Sequence, residues 1–416
     1  MKITNKRKFV ICAGVVLIAS MFVFTSFSMS VFTSSENSNQ ASTVSSYSTV
    51  APTKTLTSQD KYQSMVWICQ FCGSQVNYTK MIEKYHSLIT DLSFEDYYLA
   101  SNLTFQSLGL NLPIQLAHRY HLNTFPMIIS GSPGQMHILF TDSSVQSAFI
   151  SSAVKAALAN NFTGYNIDFE VPYYSDSHAV TEFVENFSNA LLAVGKQLTL
   201  DVIGFSGPFS PSDYGSAYNY SALANTSVSL IVVEDYYSIG DFYTAVNYSV
   251  SHVPLDKLMI AVPDYSYSFY VNATSNSPFP NNLVPPYVNY SFSGMYGALK
   301  SILHNARKDH AKISSHFSSF YGEAYYEIIY PQNKNVGVEF YYINNKAMSL
   351  RLDYLEKLNI DMVAMWRAGA VDPNLFSAVK MYYVHTILHA LEETILQMVM
   401  NIENNYPMMV SSREFF

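Results

Sequence analysis

Gly164-Tyr165-Asn166-Ile167-Asp168-Phe169-Glu170 reads as a β-strand with an unusual face. Its period of two sets Asn166, Asp168 and Glu170 on one side and Tyr165, Ile167 and Phe169 on the other. Asp168 and Glu170 stand roughly 7 Å apart at their α-carbons, from a rise of about 3.3 Å per residue. Burying both in ionised form is costly, so either one carboxyl has a raised pKa or both meet polar partners. A protonated acid beside an orienting carboxylate is what acid/base cleavage of a glycosidic bond needs. The plain alternative is a strand end whose acids reach solvent or cap the next helix.

Working outward, apolar runs at Met65–Cys69, Leu88–Phe94, Thr124–Ile129, Gly164–Phe169, Leu198–Phe205, Ser229–Tyr236, Leu258–Val262 and Ile360–Trp366 read as strands. Helical periodicity falls between them at Tyr78–His86, Leu112–Tyr120, Val145–Asn160, Ala179–Lys196, Tyr220–Ala224, Phe242–His252 and Ala347–Leu358, with Asn374–Met398 at the end. This alternation implies a parallel sheet, and eight strands match an α/β (β/α)8 TIM barrel, with a doubly wound sheet as the alternative. A barrel puts chemistry at the C-terminal ends of its strands, where Glu170 falls. The interval 264–337 is too long for an ordinary βα connection and reads as a small insertion after the seventh strand. It holds Pro- and Asn-rich turns, a helical patch at Met295–Lys308 and β-like Ala324–Tyr330.

At the N-terminus, Lys2, Lys6, Arg7 and Lys8 precede an uncharged apolar run, Phe9–Phe24. Residues 1–32 therefore read as a signal peptide or signal anchor, and the positive flank puts the rest of the chain outside the cytoplasm. The expected location is extracellular or at the cell surface, with membrane attachment if the segment is not cleaved. Residues 33–59 form a Ser/Thr-rich stalk without a core, 60–400 the folded body, and 401–416 a tail. Charged residues make up 13% of the chain, where about a quarter is usual, so uncharged polar groups carry solubility. Asn77, Asn102, Asn161, Asn186, Asn219, Asn225, Asn247, Asn272 and Asn289 lie in N-x-S/T sequons, which fits a glycosylated exported protein. The net charge of −8 and the absence of a basic cluster past the N-terminus exclude a nucleic-acid partner. Cys69 and Cys72 read as a local disulfide or as free thiols. His118 and His121 have H-x-x-H spacing without a third ligand and read as surface or packing residues.

The acidic strand resembles the signature of the family 18 glycoside hydrolases, D-G-x-D-x-D-x-E on the fourth barrel strand. Gly164, Asp168 and Glu170 fall on that pattern, while Thr163 stands at the first Asp and Asn166 replaces the middle one. The resemblance spans roughly residues 60 to 395. Leu255-Asp256-Lys257-Leu258-Met259-Ile260-Ala261-Val262-Pro263-Asp264-Tyr265 is similar to the family's seventh strand, and Met362-Val363-Ala364-Met365-Trp366 to its closing one.

The resemblance implies Glu170 as general acid, with the substrate's own N-acetyl carbonyl as nucleophile. It implies that Asp168 orients the acetamido group and raises the pKa of Glu170, and that Tyr236 hydrogen-bonds the acetamido oxygen. Asn166 can hydrogen-bond Asp168 but cannot share a proton with it. Trp366 would floor the sugar site, a role suited to a large apolar ring. Where the family carries an Asp after its sixth-strand Tyr, this chain has Tyr237, and Glu234 or Asp235 could substitute. Asp201 and Tyr265 are expected to face sugar hydroxyls. No cofactor or metal is expected, and a monomer is. The implied activity is retaining hydrolysis of β-linked N-acetylhexosamine glycans: chitin or its oligomers, peptidoglycan or an N-glycan core. The other reading is a non-catalytic carbohydrate-binding protein on the same barrel.

Overall fold

The computed structural model describes residues 62–69, 78–205, 216–234, 242–262, 267–272, 295–330, 336–369 and 375–405. All lie within the compact unit Thr55–Phe416. Its strands are β1 (Gln63–Ile68), β2 (Asp91–Leu99), β3 (Phe105–Ser107), β4 (Asn123–Ser130), β5 (Gly164–Phe169), β6 (Gln197–Ile203), β7 (Leu230–Glu234), β8 (Leu258–Val262), β9 (Tyr267–Asn272), β10 (Lys312–Ser318), β11 (Glu323–Ile329), β12 (Val336–Tyr342) and β13 (Met362–Met365). Parallel pairing runs β1-β2-β4-β5-β6-β7-β8-β13 and returns to β1, which closes an eight-stranded (β/α)8 barrel. β3 is an antiparallel addition on β2.

The strand period sorts side chains into two cores. Tyr165, Ile167 and Phe169 of β5 face outward into the large cluster between sheet and helices, with Leu198, Leu200 and Val202 of β6 and Ile231 and Val233 of β7. Met65, Trp67, Phe125, Met127, Leu230, Val232, Met259, Ala261, Met362 and Ala364 point inward and fill the barrel. The helices follow the sequence periodicity closely. Helix Ser143–Ala159 begins where Asp142 Oδ1 accepts from the backbone N–H groups of Ser144 and Val145 at 2.8 and 3.1 Å, satisfying two donors of the first turn. Helix Pro133–Thr141 is not signalled by periodicity; it opens on a proline, whose missing N–H costs nothing there.

The long interval after β8 is an α+β insertion, in which β10-β11-β12-β9 form an antiparallel sheet and helix Met295–Lys308 accompanies it. The sheet continues through β12 to Tyr342. Its Tyr321, Tyr325 and Tyr341 pack against the cluster inside the barrel, beside Trp366. Arg351, on helix Asn345–Lys357, fastens it: Nη2 meets Glu323 Oε1 at 2.5 Å and Nη1 donates to the Gly322 carbonyl at 3.1 Å, both charges being buried.

Cys69 is disulfide-bonded, and Cys72 lies outside the described residues. The last helix, Leu375–Asn405, runs into the stretch set apart as a tail. Among the described residues no helix is long and apolar enough to cross a membrane, and the N-terminal apolar run and stalk lie outside them.

Candidate active site

β5 is held from three directions. A Cβ at Gly164 would lie 2.0 Å from the Gln197 carbonyl oxygen, so the strand can lie this close to β6 only without a side chain there. The Tyr165 hydroxyl donates to the Ala153 carbonyl at 2.9 Å, anchoring the outer face to the preceding helix. Beyond β6, Tyr218 donates to the Phe169 carbonyl and Tyr220 to the Ile203 carbonyl, holding the C-terminal ends of β5 and β6.

On the inner face Asn166 is fully buried and makes all four hydrogen bonds an amide can make. Its Oδ1 accepts from Trp67 Nε1 at 2.9 Å and from Ser93 Oγ at 2.9 Å. Its Nδ2 donates to Thr199 Oγ1 at 3.0 Å and to Asp201 Oδ1 at 2.7 Å. Because an indole can only donate, the amide orientation is fixed by chemistry. The sequence reading paired Asn166 with Asp168; the hydrogen bond goes instead to Asp201.

Carboxylate oxygens of Asp168, Asp201 and Glu234 lie within 4.8 Å of one another. The register explains the meeting: Asn166 pairs with Thr199, and one inward step further along both strands sets Asp168 beside Asp201. Glu234 ends β7 opposite Ile203. Burial, then the charges of Glu234, Glu170 and Glu95, push the Asp168 carboxyl well above the usual carboxylate range. Burial and the Asp168 charge push Asp201 up as well, against a lowering by the Asn166 hydrogen bond. Asp201, expected to face sugar hydroxyls, is 3% exposed, and its buried Oδ2 has no hydrogen-bond partner among the described residues. Among the described residues this is the one grouping of three acidic side chains whose oxygens come this close.

Glu170 follows β5 directly and is exposed, whereas Asp168 is half-buried, so the pair passes from interior to rim. Trp366, just past β13, is also half-buried; its ring centroid is 6.1 Å from that of Trp67, and it packs on the same inner cluster. Asp168 and the Trp366 indole thus lie toward the inner side of one barrel, with Glu170 exposed just past the end of β5. Asp235, Tyr236 and Tyr265 lie outside the described residues. His118 and His121 are exposed, on and just after helix Asn111–Tyr120.

Trp67 and Ser93, the donors to Asn166, were not anticipated from sequence, nor was the inward role of Asp201. A signal existed for Asp201: Leu198-Thr199-Leu200-Asp201-Val202 alternates, and its polar positions fall on the face that carries Asn166 and Asp168.

No protein-family profile matches the chain, and no curated protein matches it. Solved structures do. The spore cortex-lytic enzyme SleL of Bacillus megaterium superposes with a TM-score of 0.64 at 15% identity, over 77% of this chain and 73% of that one. A chitinase from Chromobacterium violaceum matches with a TM-score of 0.62 at 17% identity, over 77% and 98% of the two chains. The Group IV chitinase of Ostrinia furnacalis gives 0.62 at 15% identity, over 78% and 100%. The chain therefore has the (β/α)8 fold of the family 18 chitinases.

Proposed function

We propose that this chain is a glycoside hydrolase that cleaves β-linked N-acetylhexosamine glycans with retention, chitin or its oligomers foremost. The observation that carries the reading is the placement of Asp168 and Glu170 at one strand end: one carboxyl is half-buried among other acids with a raised pKa, the other exposed at the rim. The likeness in fold to chitinases and to a spore cortex-lytic enzyme supports it.

In this mechanism Glu170 gives its proton to the departing glycosidic oxygen. The substrate's acetamido carbonyl attacks the anomeric carbon from the opposite face, forming an oxazolinium ion. Asp168 holds the acetamido N–H and, once ionised, stabilises the positive charge that develops there. Glu170, now a carboxylate, takes a proton from the water that opens the ring, which restores the starting configuration. Trp366 stacks beneath the sugar, and Tyr236 would reach the acetamido oxygen. Export by the N-terminal apolar run and glycosylation at the sequons belong to the same proposal.

The test is turnover by the full chain of chromogenic N-acetylglucosamine oligomers, with peptidoglycan and high-mannose glycans as parallel arms. Glu170→Gln is expected to lower kcat by roughly 10²- to 10⁴-fold while leaving oligomer binding in place. Unchanged turnover in Glu170→Gln would remove the acid assignment. Binding without turnover in every arm by the unaltered chain would favour the carbohydrate-binding reading.

A further inference from the structure

Asp168 faces a requirement that Asn166 cannot meet. It must be ionised when the oxazolinium charge develops, yet burial and neighbouring acids favour its protonated form. The proton therefore needs a second acceptor on the inner side. An amide is not one, because its nitrogen has no free lone pair and both Oδ1 acceptor positions at Asn166 are filled by Trp67 and Ser93.

We infer that Asp201, reached from the neighbouring strand, is the proton-sharing partner of Asp168 and does the work that an acid at position 166 would otherwise do. Three observations carry this. Asp201 Oδ1 is held by Asn166 Nδ2 at 2.7 Å, which fixes the carboxyl plane. Its Oδ2 is buried and has no hydrogen-bond partner among the described residues, which leaves a position for one proton. The Asp168 and Asp201 carboxylate oxygens lie within 4.8 Å of each other.

The step is a proton transfer only: the O–H bond of Asp168 breaks, an O–H bond forms on Asp201 Oδ2, and the negative charge moves from Asp201 to Asp168. The titratable groups facing the pair are Glu234 from β7, Glu95 from β2 and Glu170 at the rim. Asn166 and Asp201 thus form a matched couple, because an amide at 166 can donate to a carboxylate at 201, whereas a carboxylate there could not.

The inference rests on the proposed hydrolase reading, and its test separates the two. With the unaltered chain active, Asp201→Asn is expected to lower kcat about 10- to 100-fold with little change in KM. The acidic limb of its pH profile is expected at lower pH, since Asp168, which works in its ionised form, loses its proton more readily without the Asp201 charge. The exchange Asn166→Asp with Asp201→Asn keeps one amide and one carboxyl in contact and is expected to recover most of the lost kcat. An unchanged pH profile in Asp201→Asn, or a folded double variant with no recovery, would overturn the inference. Infrared spectroscopy reads the shared proton without turnover. A protonated-carboxyl band at neutral pH that weakens in Asp201→Asn supports it even if the chain cleaves no glycan, and a band unaffected by the substitution overturns it. Should Asp201→Asn fail to fold, the double variant and Asn166→Asp supply the same two readouts.

Discussion

Trp67 donates its indole N–H to Asn166 Oδ1 at 2.9 Å, linking β1 to β5 through the inside of the barrel. Both side chains are fully buried, so the acceptor has no water to turn to if the donor is removed. Trp67→Phe is expected to cost about 2–4 kcal/mol from the lost hydrogen bond and the smaller ring together. Urea unfolding with an unchanged slope and a lower midpoint would show this. An unmoved midpoint would mean that Ser93 alone suffices to hold the amide.

Trp366 is half-buried with its ring on the inner cluster, so it can offer a face to a pyranose. Removing that surface in Trp366→Ala should raise KM for N-acetylglucosamine oligomers about tenfold, a loss of ~1–2 kcal/mol. If KM stays constant while stability falls, the indole is core filling and not a sugar platform.

Gly164 is fixed by space. A methyl group there meets backbone and not a flexible side-chain tip, so β5 and β6 must separate to admit it. Gly164→Ala is expected to destabilise by more than about 4 kcal/mol, seen as loss of soluble folded protein or of the cooperative transition. A melting curve like that of the unaltered chain would contradict the close approach.

Asp91 at the start of β2 is pushed by burial from 3.8 to about 6, although Asn123 and Thr90 hydrogen-bond it and pull the other way. The folded chain keeps a proton that the unfolded chain has already released, so stability falls as pH rises through this window. The contribution is complete below the unfolded value and is lost by about pH 6, a change of ~3 kcal/mol. Asp91→Asn is expected to flatten the unfolding midpoint between about pH 4 and 7, and an undiminished slope would assign the dependence to another group.

Much of the barrel was legible because each strand is an apolar run of the right length between helical repeats. β5 and β8 begin and end where the sequence pattern puts them. The acidic pair was legible for the same reason, since a period of two states which side chains share a face. What the pattern could not give is register between strands. Asp201 lies thirty-three positions from Asp168 in sequence, and nothing local says that the two oxygens meet; only the Asn166–Thr199 pairing does. Trp67, read as part of an apolar strand, carries its polar role in one atom that periodicity does not weigh. β3 spans Phe105–Ser107, too short to leave a period at all.

The buried Arg351–Glu323 contact ties the insertion's sheet to a helix of the barrel. Tilting that sheet outward would strand a charge in a dry interior, at about 3–5 kcal/mol. The places of Tyr321, Tyr325 and Tyr341 over the inner cluster of the barrel are therefore preset when the chain folds.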